Sequence, residues 1–170
     1  AQNRVPGLQR MNYAFMHFIG YDEAVFFEER RRIKEITEKA NLPQIVASDI
    51  APEAVEIAKL NARTAGVEHL ITFEVGDFAQ TTVPEGNGVV MFNPEYGERL
   101  GVHSKLEETY KRVGDFLKQQ CKGHRGYVFT GNPDLAKKIG LRASRRFEFF
   151  NGKLDCRLLQ YELYEGTKEN

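Results

Sequence analysis

The sequence lacks most features that mark a secreted, membrane-bound or disulfide-stabilised protein. It has no tryptophan, and its two cysteines, Cys121 and Cys156, are too few for a disulfide scaffold. Both cysteines sit in apolar patterns, so we expect buried free thiols in a reducing compartment. No apolar run is long enough to span a bilayer, and no signal peptide is visible. These observations predict a cytoplasmic protein with no membrane partner.

Neither positive nor negative charge is in excess. Lys plus Arg and Asp plus Glu both number 24, so the formal net charge is zero. Net charge therefore gives no electrostatic argument for nucleic acid, and none against a local basic patch. The mixed charges from Glu28 to Arg32 are typical of a solvated helix face. The 4 histidines have no metal-ligand spacing with either cysteine, so we expect no metal site.

Repeats, low-complexity tracts and linkers are absent from the sequence, which predicts a single domain over residues 1–170. Hydrophobic periodicity and turn residues predict strands and helices in alternation. The predicted helices are 21–40, which Asp22 caps, 51–66, a long helix that begins at Ser104 with Glu107 in a capping box, and a short helix at Asn132. The predicted strands are 44–50, 70–77, 88–93 and 126–130. A hairpin around Asn151-Gly152 follows them.

Three of the predicted helices have apolar residues near one face, and in the second and third we expect that stripe to face inward. The stripes comprise Phe26, Ile33 and Ile36 in the first helix, Ala54, Ile57, Ala58, Ala62 and Ala65 in the second, and Leu106, Tyr110, Val113 and Leu117 in the third.

Alternating strands and helices predict an α/β fold: a parallel sheet with helices on both faces, closed by an antiparallel hairpin. In such sheets ligands bind at the carboxyl ends of the strands. Three predicted strands carry a polar side chain there, namely Asp49, Asp77 and Asn93. This coincidence makes that end of the sheet the candidate site.

Two of these residues have an alternative structural role. Asp49 can accept hydrogen bonds from the hydroxyls of a ribose, or it can be the N-cap residue of the helix that starts at Pro52. Asp77 can accept the exocyclic amine of an adenine ring with Phe78 packed on that ring, or it can be a turn aspartate that follows a strand.

The third strand end, Asn93-Pro94-Glu95-Tyr96, fits methyl transfer to the amine of a nucleobase. Such an amine is a poor nucleophile, because its lone pair is delocalised into the ring. A side-chain amide oxygen and a backbone carbonyl can hold the amine in line for transfer, and an aromatic ring can stack on the base. Alternatively, the segment is an Asn-Pro turn with a surface tyrosine.

The segment Asn93 to Gly101, "NPEYGERLG", resembles the N-P-P-Y-G-E-R-L signature of bacterial large-subunit ribosomal RNA guanine-N2 methyltransferases. Members of that family carry a THUMP domain and are often labelled N6-adenine DNA methylases. The resemblance extends over nearly the whole chain, through "RVPGLQR", "SDIAPEAVEIAKLNARTAGV", "ITFEVGDF" and "TGNPDLAKKIGLRASRRFEFFNGKLDCRLL".

The resemblance implies a Rossmann-like class I methyltransferase fold, S-adenosylmethionine as cofactor and ribosomal RNA as partner. Its implied cofactor residues are Asp49 for the ribose, Ile50 against the adenine, Asp77 for the adenine amine and Phe78 beside it. Asn93 and Pro94 would hold the target amine, and Tyr96 would stack on a flipped guanine. Arg99 would pair with Glu98 or touch RNA phosphate.

The sequence departs from the family pattern at two places. Glu95 stands where the family has a second proline, which loosens the turn. The Gly-rich loop of the family's first motif is missing, since the one close pair, Gly86 and Gly88, precedes a strand. We therefore expect an N-terminally truncated methyltransferase domain that alone binds the cofactor poorly and is inactive.

In the fold that the resemblance implies, the first strand is central, and its loss would leave 45–49 and 88–92 with unpaired backbone groups. Those strands are then expected to pair with each other or to recruit a strand from another chain, which would make the chain self-associate. Three alternative functions remain: a non-catalytic remnant that binds RNA or a partner, N6-adenine methylation of nucleic acid, and a dinucleotide-dependent oxidoreductase, which the absence of G-x-G-x-x-G disfavours.

Overall fold

The computed structural model describes residues 10–36, 42–96 and 103–164. The chain divides into two compact units, one formed by Ala1–Ala47 and Ala51–Val75, the other by Ser48–Ile50 and Gly76–Asn170. That the chain acts as one methyltransferase domain over 1–170 stays a prediction.

The first unit contains two helices and a two-stranded sheet. Its elements are a 3-10 helix (Ala14–His17), α1 (Glu23–Glu35), β1 (Ile45–Asp49), α2 (Pro52–Thr64), a 3-10 helix (Glu68–Leu70) and β2 (Ile71–Val75). β1, whose last two residues belong to the second unit, pairs with β2. As predicted, Asp22 caps α1, because its Oδ1 accepts a hydrogen bond from Ala24 N at 2.8 Å.

The inward faces of these helices differ from the predicted stripes at particular residues. In α2, Ile57 is 61% exposed, whereas Val55, which was not in the predicted stripe, is 2% exposed. Ile36 lies just past the end of α1 and is also exposed. Ala62 is buried as expected. The prediction for Ile57 was wrong because apolar residues occur on two sides of α2, so periodicity alone did not fix which side packs.

The second unit contains a four-stranded mixed sheet. Its elements are a 3-10 helix (Phe78–Gln80), β3 (Val89–Phe92), α3 (His103–Gln120), β4 (Arg125–Thr130), α4 (Pro133–Lys138), β5 (Arg145–Asn151) and β6 (Leu154–Glu162). The strand order is β3-β4-β6-β5. β3 and β4 run parallel, and β6 pairs antiparallel with both β4 and β5. The α/β class and the antiparallel closing hairpin are therefore confirmed.

The hydrophobic core of this unit lies between α3, α4 and one face of the sheet. The four predicted inward residues of α3, namely Leu106, Tyr110, Val113 and Leu117, are all buried and pack with residues of α4, β4 and β6. Cys121 and Cys156 are free and fully buried, as predicted. Burial raises the pKa of the Cys121 thiol to about 11.

Three details of the second unit differ from expectation. Helices on both faces of the sheet would bury both faces of β3, yet Val89 and Met91 are 66% and 63% exposed. The two-residue loop of the hairpin is Gly152-Lys153, because Asn151 pairs with Leu154 at the end of β5. The helix expected to open at Ser104 begins at His103, and the residue before it lies outside the described part of the chain.

The described strands form two separate sheets. β1 pairs with β2, and β3 pairs with β4, so the expected direct pairing of 45–49 with 88–92 is absent from the described ranges. Recruitment of a strand from another chain stays a prediction. Across those same ranges, no helix combines the length and the apolar character that a membrane crossing requires.

Candidate functional site

Backbone and side-chain hydrogen bonds join the segments that follow β1 and β2. Gly76 N donates to the carbonyl oxygen of Asp49 at 3.0 Å, and Thr81 Oγ1 donates to Ser48 Oγ at 2.7 Å. The two predicted carboxylates, Asp49 and Asp77, therefore stand at neighbouring strand ends. The N-cap residue of α2 is Ala51 and not Asp49, so the simple capping alternative for Asp49 is wrong.

The Asp77 carboxylate is held by a backbone and a side-chain donor. Its Oδ1 accepts from Ala79 N at 2.9 Å, which makes Asp77 the N-cap residue of the 3-10 helix Phe78–Gln80. Arg112 Nη2 on α3 donates to Oδ1 at 2.8 Å and to Oδ2 at 2.7 Å. The Arg112 guanidinium, followed by the Ala79 amide, lowers the pKa of Asp77, so the carboxyl group is ionised at neutral pH. The turn role of Asp77 is thus observed, and its ligand role stays a prediction.

Phe78 connects this carboxylate to the strand that ends in Asn93. Its ring makes edge-on contacts with Phe92 at 5.3 Å and Phe116 at 5.9 Å between centroids. The Arg112 guanidinium carbon lies 5.1 Å from the Phe78 ring centroid. Because Phe92 immediately precedes Asn93, the ring packing brings the predicted cofactor side and the predicted target side of the site together.

Asn93 and Pro94 directly follow the last residue of β3. The Asn93 side chain is exposed, and within the described residues its amide has no hydrogen bond to another side chain or to the backbone. Pro94, the next residue, is half-buried. The Asn93 amide oxygen is therefore accessible to a hydrogen-bond donor from a ligand.

Tyr96 is half-buried and fixed by residues of β4 and the hairpin. Its ring packs edge-on against Phe129, with centroids 6.2 Å apart and an interplanar angle of 73°. Asn151 Nδ2 donates to the Tyr96 hydroxyl at 3.4 Å. Tyr96 is therefore not a freely exposed side chain, because its ring packs against Phe129 and its hydroxyl accepts a hydrogen bond from Asn151.

The remaining predicted residues are Ile50, Glu98 and Arg99. Ile50, expected against the adenine, is 73% exposed. Glu98 and Arg99, with the rest of the signature after Tyr96, lie outside the described residues. No group of three or more His, Cys, Asp or Glu side chains that could hold a metal ion occurs in the described ranges.

Two residues of the site were missed at the sequence level. Arg112 and Asn151 contact Asp77 and Tyr96 across 35 and 55 residues of chain, respectively. Neither lies in a motif with its partner, so no local pattern could have found them.

The described residues of this arrangement offer hydrogen-bond acceptors and aromatic surfaces. Carboxylates at Asp49 and Asp77 can accept hydrogen bonds from hydroxyls and amines, and Phe78 adds an apolar ring. At the end of β3, the Asn93 amide and the Tyr96 ring can hold a planar group that carries an amine. This chemistry matches a site that positions two ligands next to each other.

Comparison with known proteins finds similar sequences among methyltransferases. The chain is 38% identical over 168 residues to the ribosomal RNA large subunit methyltransferase K/L of Chromohalobacter salexigens, covering 94% of this chain and 22% of that relative. The chain thus spans about a fifth of that protein's length.

Solved structures share the fold. SMU.472, which is assigned as a methyltransferase and was crystallised as a complex with SAH, matches 98% of this chain and 44% of its own, with a TM-score of 0.87 and 26% identity. A protein of Listeria monocytogenes that was predicted to be an N6-adenine-specific DNA methylase matches with a TM-score of 0.82 and 27% identity, over 95% of this chain and 41% of its own.

These neighbours confirm the class I methyltransferase fold that the resemblance implied. The family described as UPF0020, RMKL-like, methyltransferase domain matches residues 1–160, which is most of the 170-residue sequence. The chain therefore belongs to the RMKL-like methyltransferase domain family.

Proposed function

We propose that this chain forms the catalytic region of an enzyme that transfers a methyl group from S-adenosylmethionine to the N2 amine of a guanine in large-subunit ribosomal RNA. The observation that carries the proposal is the accessible Asn93 amide at the end of β3, joined through Phe92 and Phe78 to the ionised Asp77 carboxylate. The relative named as a ribosomal RNA large subunit methyltransferase supports the substrate class.

The residues present fit the adenosine part of S-adenosylmethionine. Asp77 is ionised and can accept the hydrogen of an adenine amine, while Phe78 lies beside that carboxylate. Asp49 is an exposed carboxylate at the adjacent strand end, which suits a ribose diol. The SAH bound to SMU.472 supports this choice of ligand. When bound, S-adenosylmethionine supplies the methyl group as an electrophile.

On the substrate side, residues of this chain orient the target amine and hold the base. The Asn93 side-chain oxygen and a backbone carbonyl in the Asn93-Pro94 turn accept the two amine hydrogens, which localises the nitrogen lone pair for in-line attack. Tyr96, backed by Phe129 and Asn151, stacks on the base. Glu95 is exposed in the same turn and adds a negative charge near the reacting groups.

A second candidate is methylation of the N6 amine of adenine, because it is an exocyclic amine with the same geometric demand. The similar protein of Listeria monocytogenes, which was predicted to be an N6-adenine-specific DNA methylase, supports this alternative. A non-catalytic remnant that binds RNA or a partner is the third reading, and the same experiment separates all three.

The test uses the protein at the full length that its gene encodes, unmodified large-subunit ribosomal RNA transcribed in vitro, and S-adenosylmethionine labelled in the methyl group. We expect N2-methylguanosine in the nucleoside digest by mass spectrometry. Asn93→Ala should remove about 2.7–4 kcal/mol of transition-state stabilisation with cofactor affinity unchanged. Asn87→Ala, an exposed amide in the loop before β3, is the matched control. N6-methyladenosine would favour the second candidate, and cofactor binding without any product would favour the third.

A further inference from the structure

We propose that Arg112 of α3 is a positioning residue that holds the Asp77 carboxylate and the Phe78 ring in the orientation that receives the adenine of the cofactor. This inference rests on the proposed function, because it gives Arg112 a role toward the same ligand. Arg112 is outside every motif that carries the family resemblance.

The contact uses a single guanidinium nitrogen. Nη2 of Arg112 lies 2.8 Å from Oδ1 and 2.7 Å from Oδ2 of Asp77, and Ala79 N takes a further site on Oδ1. An ionised carboxylate has about four lone-pair sites. Three are occupied, so one acceptor site on Oδ2 stays available for an amine hydrogen. Arg112 and Ala79 thus fix the carboxylate without saturating it.

The same side chain also restrains Phe78. The guanidinium carbon stands 5.1 Å from the Phe78 ring centroid, and Phe92 and Phe116 contact the ring edge-on from the strand and from α3. These three contacts restrain the Phe78 ring before a ligand binds. Arg112 therefore couples the polar and the apolar contact that an adenine would make, since it touches both residues.

A purely structural role explains these contacts less well. The side chains of Arg112 and Asp77 are 42% and 29% exposed, and ion pairs at such positions contribute little to folding stability. By contrast, without Arg112 the Asp77 side chain would rotate freely, and its ordering on ligand binding would reduce the affinity. Loss of Arg112 should therefore weaken SAH binding clearly and lower the melting temperature only slightly.

The variants Arg112→Met and Arg112→Lys separate charge from side-chain length. Lysine can reproduce a contact made by one nitrogen, whereas methionine removes the charge and keeps the apolar stem. Arg125→Met is the matched control, because Arg125 also forms a part-exposed ion pair in this unit, with Glu162 at 3.5 Å. Each variant is measured in the protein at full gene length by SAH calorimetry, by thermal unfolding, and by NMR titration of the Asp77 carboxyl group without ligand.

We expect Arg112→Met to raise the Asp77 pKa toward its ordinary value and to weaken SAH binding about tenfold. Arg112→Lys should restore both to near the unaltered values, and Arg125→Met should change neither. If Arg112→Met left SAH affinity unchanged, or strengthened it because Arg112 competes for Asp77, the positioning role would be overturned.

The failure of this inference can be told apart from the failure of the proposed function. If Asp77→Asn weakens SAH binding and Arg112→Met does not, the cofactor site stands and the role of Arg112 is wrong. If the unaltered protein binds no SAH, or if Asp77→Asn has no effect on affinity, the proposed cofactor site fails and the role of Arg112 fails with it.

Discussion

Gly131 lies directly against Tyr96: a Cβ atom at residue 131 would stand 3.0 Å from Tyr96 Cδ2 and 2.8 Å from Leu154 Cδ2. Gly131 follows the last residue of β4, so the end of this strand leaves the space that the Tyr96 ring occupies. Leu154 Cδ2 is the far end of a flexible side chain and can move. The Tyr96 ring, which is held by Phe129 and Asn151, has less freedom to do so.

We therefore expect Gly131→Ala to displace the Tyr96 ring and to lower methyl transfer by at least tenfold, since small misplacements of positioning residues are costly. Cofactor affinity should stay unchanged, because Asp49 and Asp77 do not contact this glycine. Single-turnover methylation and SAH calorimetry measure the two effects separately. Tyr96→Phe, which keeps the ring and loses only the 3.4 Å hydrogen bond to Asn151, should cost much less. Equal turnover of Gly131→Ala and the unaltered protein would contradict the assignment of Tyr96.

The sequence predicted those parts of the site that depend on local order along the chain. Asp49, Asp77 and Asn93 were singled out because each stands at the end of a predicted strand, and strand ends can be predicted from period-2 patterns and turn residues. The role of Ile50 came from the family resemblance alone. The ligand roles of all the predicted site residues stay predictions. Arg112 and Asn151 were missed because side-chain contacts over long sequence separations leave no local signal.

In the fold too, features set by local sequence were predicted better than features set by packing between distant residues. Helix and strand positions agree closely with expectation except for the first helix, which was predicted to extend to residue 40 and ends at Glu35, with residues 37–40 outside the described ranges. The inward face of α3 was predicted at all four residues named. The faces of α2 and β3 were not, because packing partners decide which apolar residues are covered. Val55 replaces Ile57 inside, and Val89 and Met91 remain exposed, although all four are apolar.

Replacement of Asp49 by alanine should weaken cofactor binding without lowering the melting temperature by much. The expected loss comes from two hydrogen bonds to a charged acceptor, each worth about 1.5–3 kcal/mol at most. Titration calorimetry with SAH measures it. Asp115→Ala is a suitable control, because Asp115 is a part-exposed carboxylate on α3 that pairs with Lys118 at 3.7 Å. Unchanged affinity of Asp49→Ala would leave Asp49 as a structural residue at the end of β1.

The buried thiol of Cys121 makes stability depend on alkaline pH. Burial raises its pKa from 9.0 to about 11, so the folded state favours the protonated thiol relative to the unfolded state. This contribution is fully present below pH 9 and is lost as pH rises from about 9 to about 11. Tyr161, with a pKa raised from 10.0 to about 12 by burial, acts in the same direction at higher pH.

Urea unfolding followed between pH 8 and pH 11 should therefore show a falling free energy of unfolding. In Cys121→Ala the fall between pH 9 and pH 10 should be smaller, because the titrating thiol is gone and Tyr161 remains. An equally steep fall in that variant would show that another group dominates. The test is independent of the proposed function, since neither residue touches the candidate site.

The edge of the four-stranded sheet gives the last prediction, which concerns association of the 170-residue chain. β3 is the outer strand of this sheet among the described strands, and Val89 and Met91 on it are 66% and 63% exposed. Open apolar edge strands recruit other strands, and a lysine on such an edge blocks that pairing. We expect sedimentation velocity to show concentration-dependent association of the chain, and Met91→Lys to shift it toward monomer. Met11→Lys changes a methionine that is 60% exposed outside the sheet and should leave association unaltered. A chain that stays monomeric at every concentration would contradict strand-mediated self-association, whereas equal effects of the two lysines would attribute it to general surface hydrophobicity.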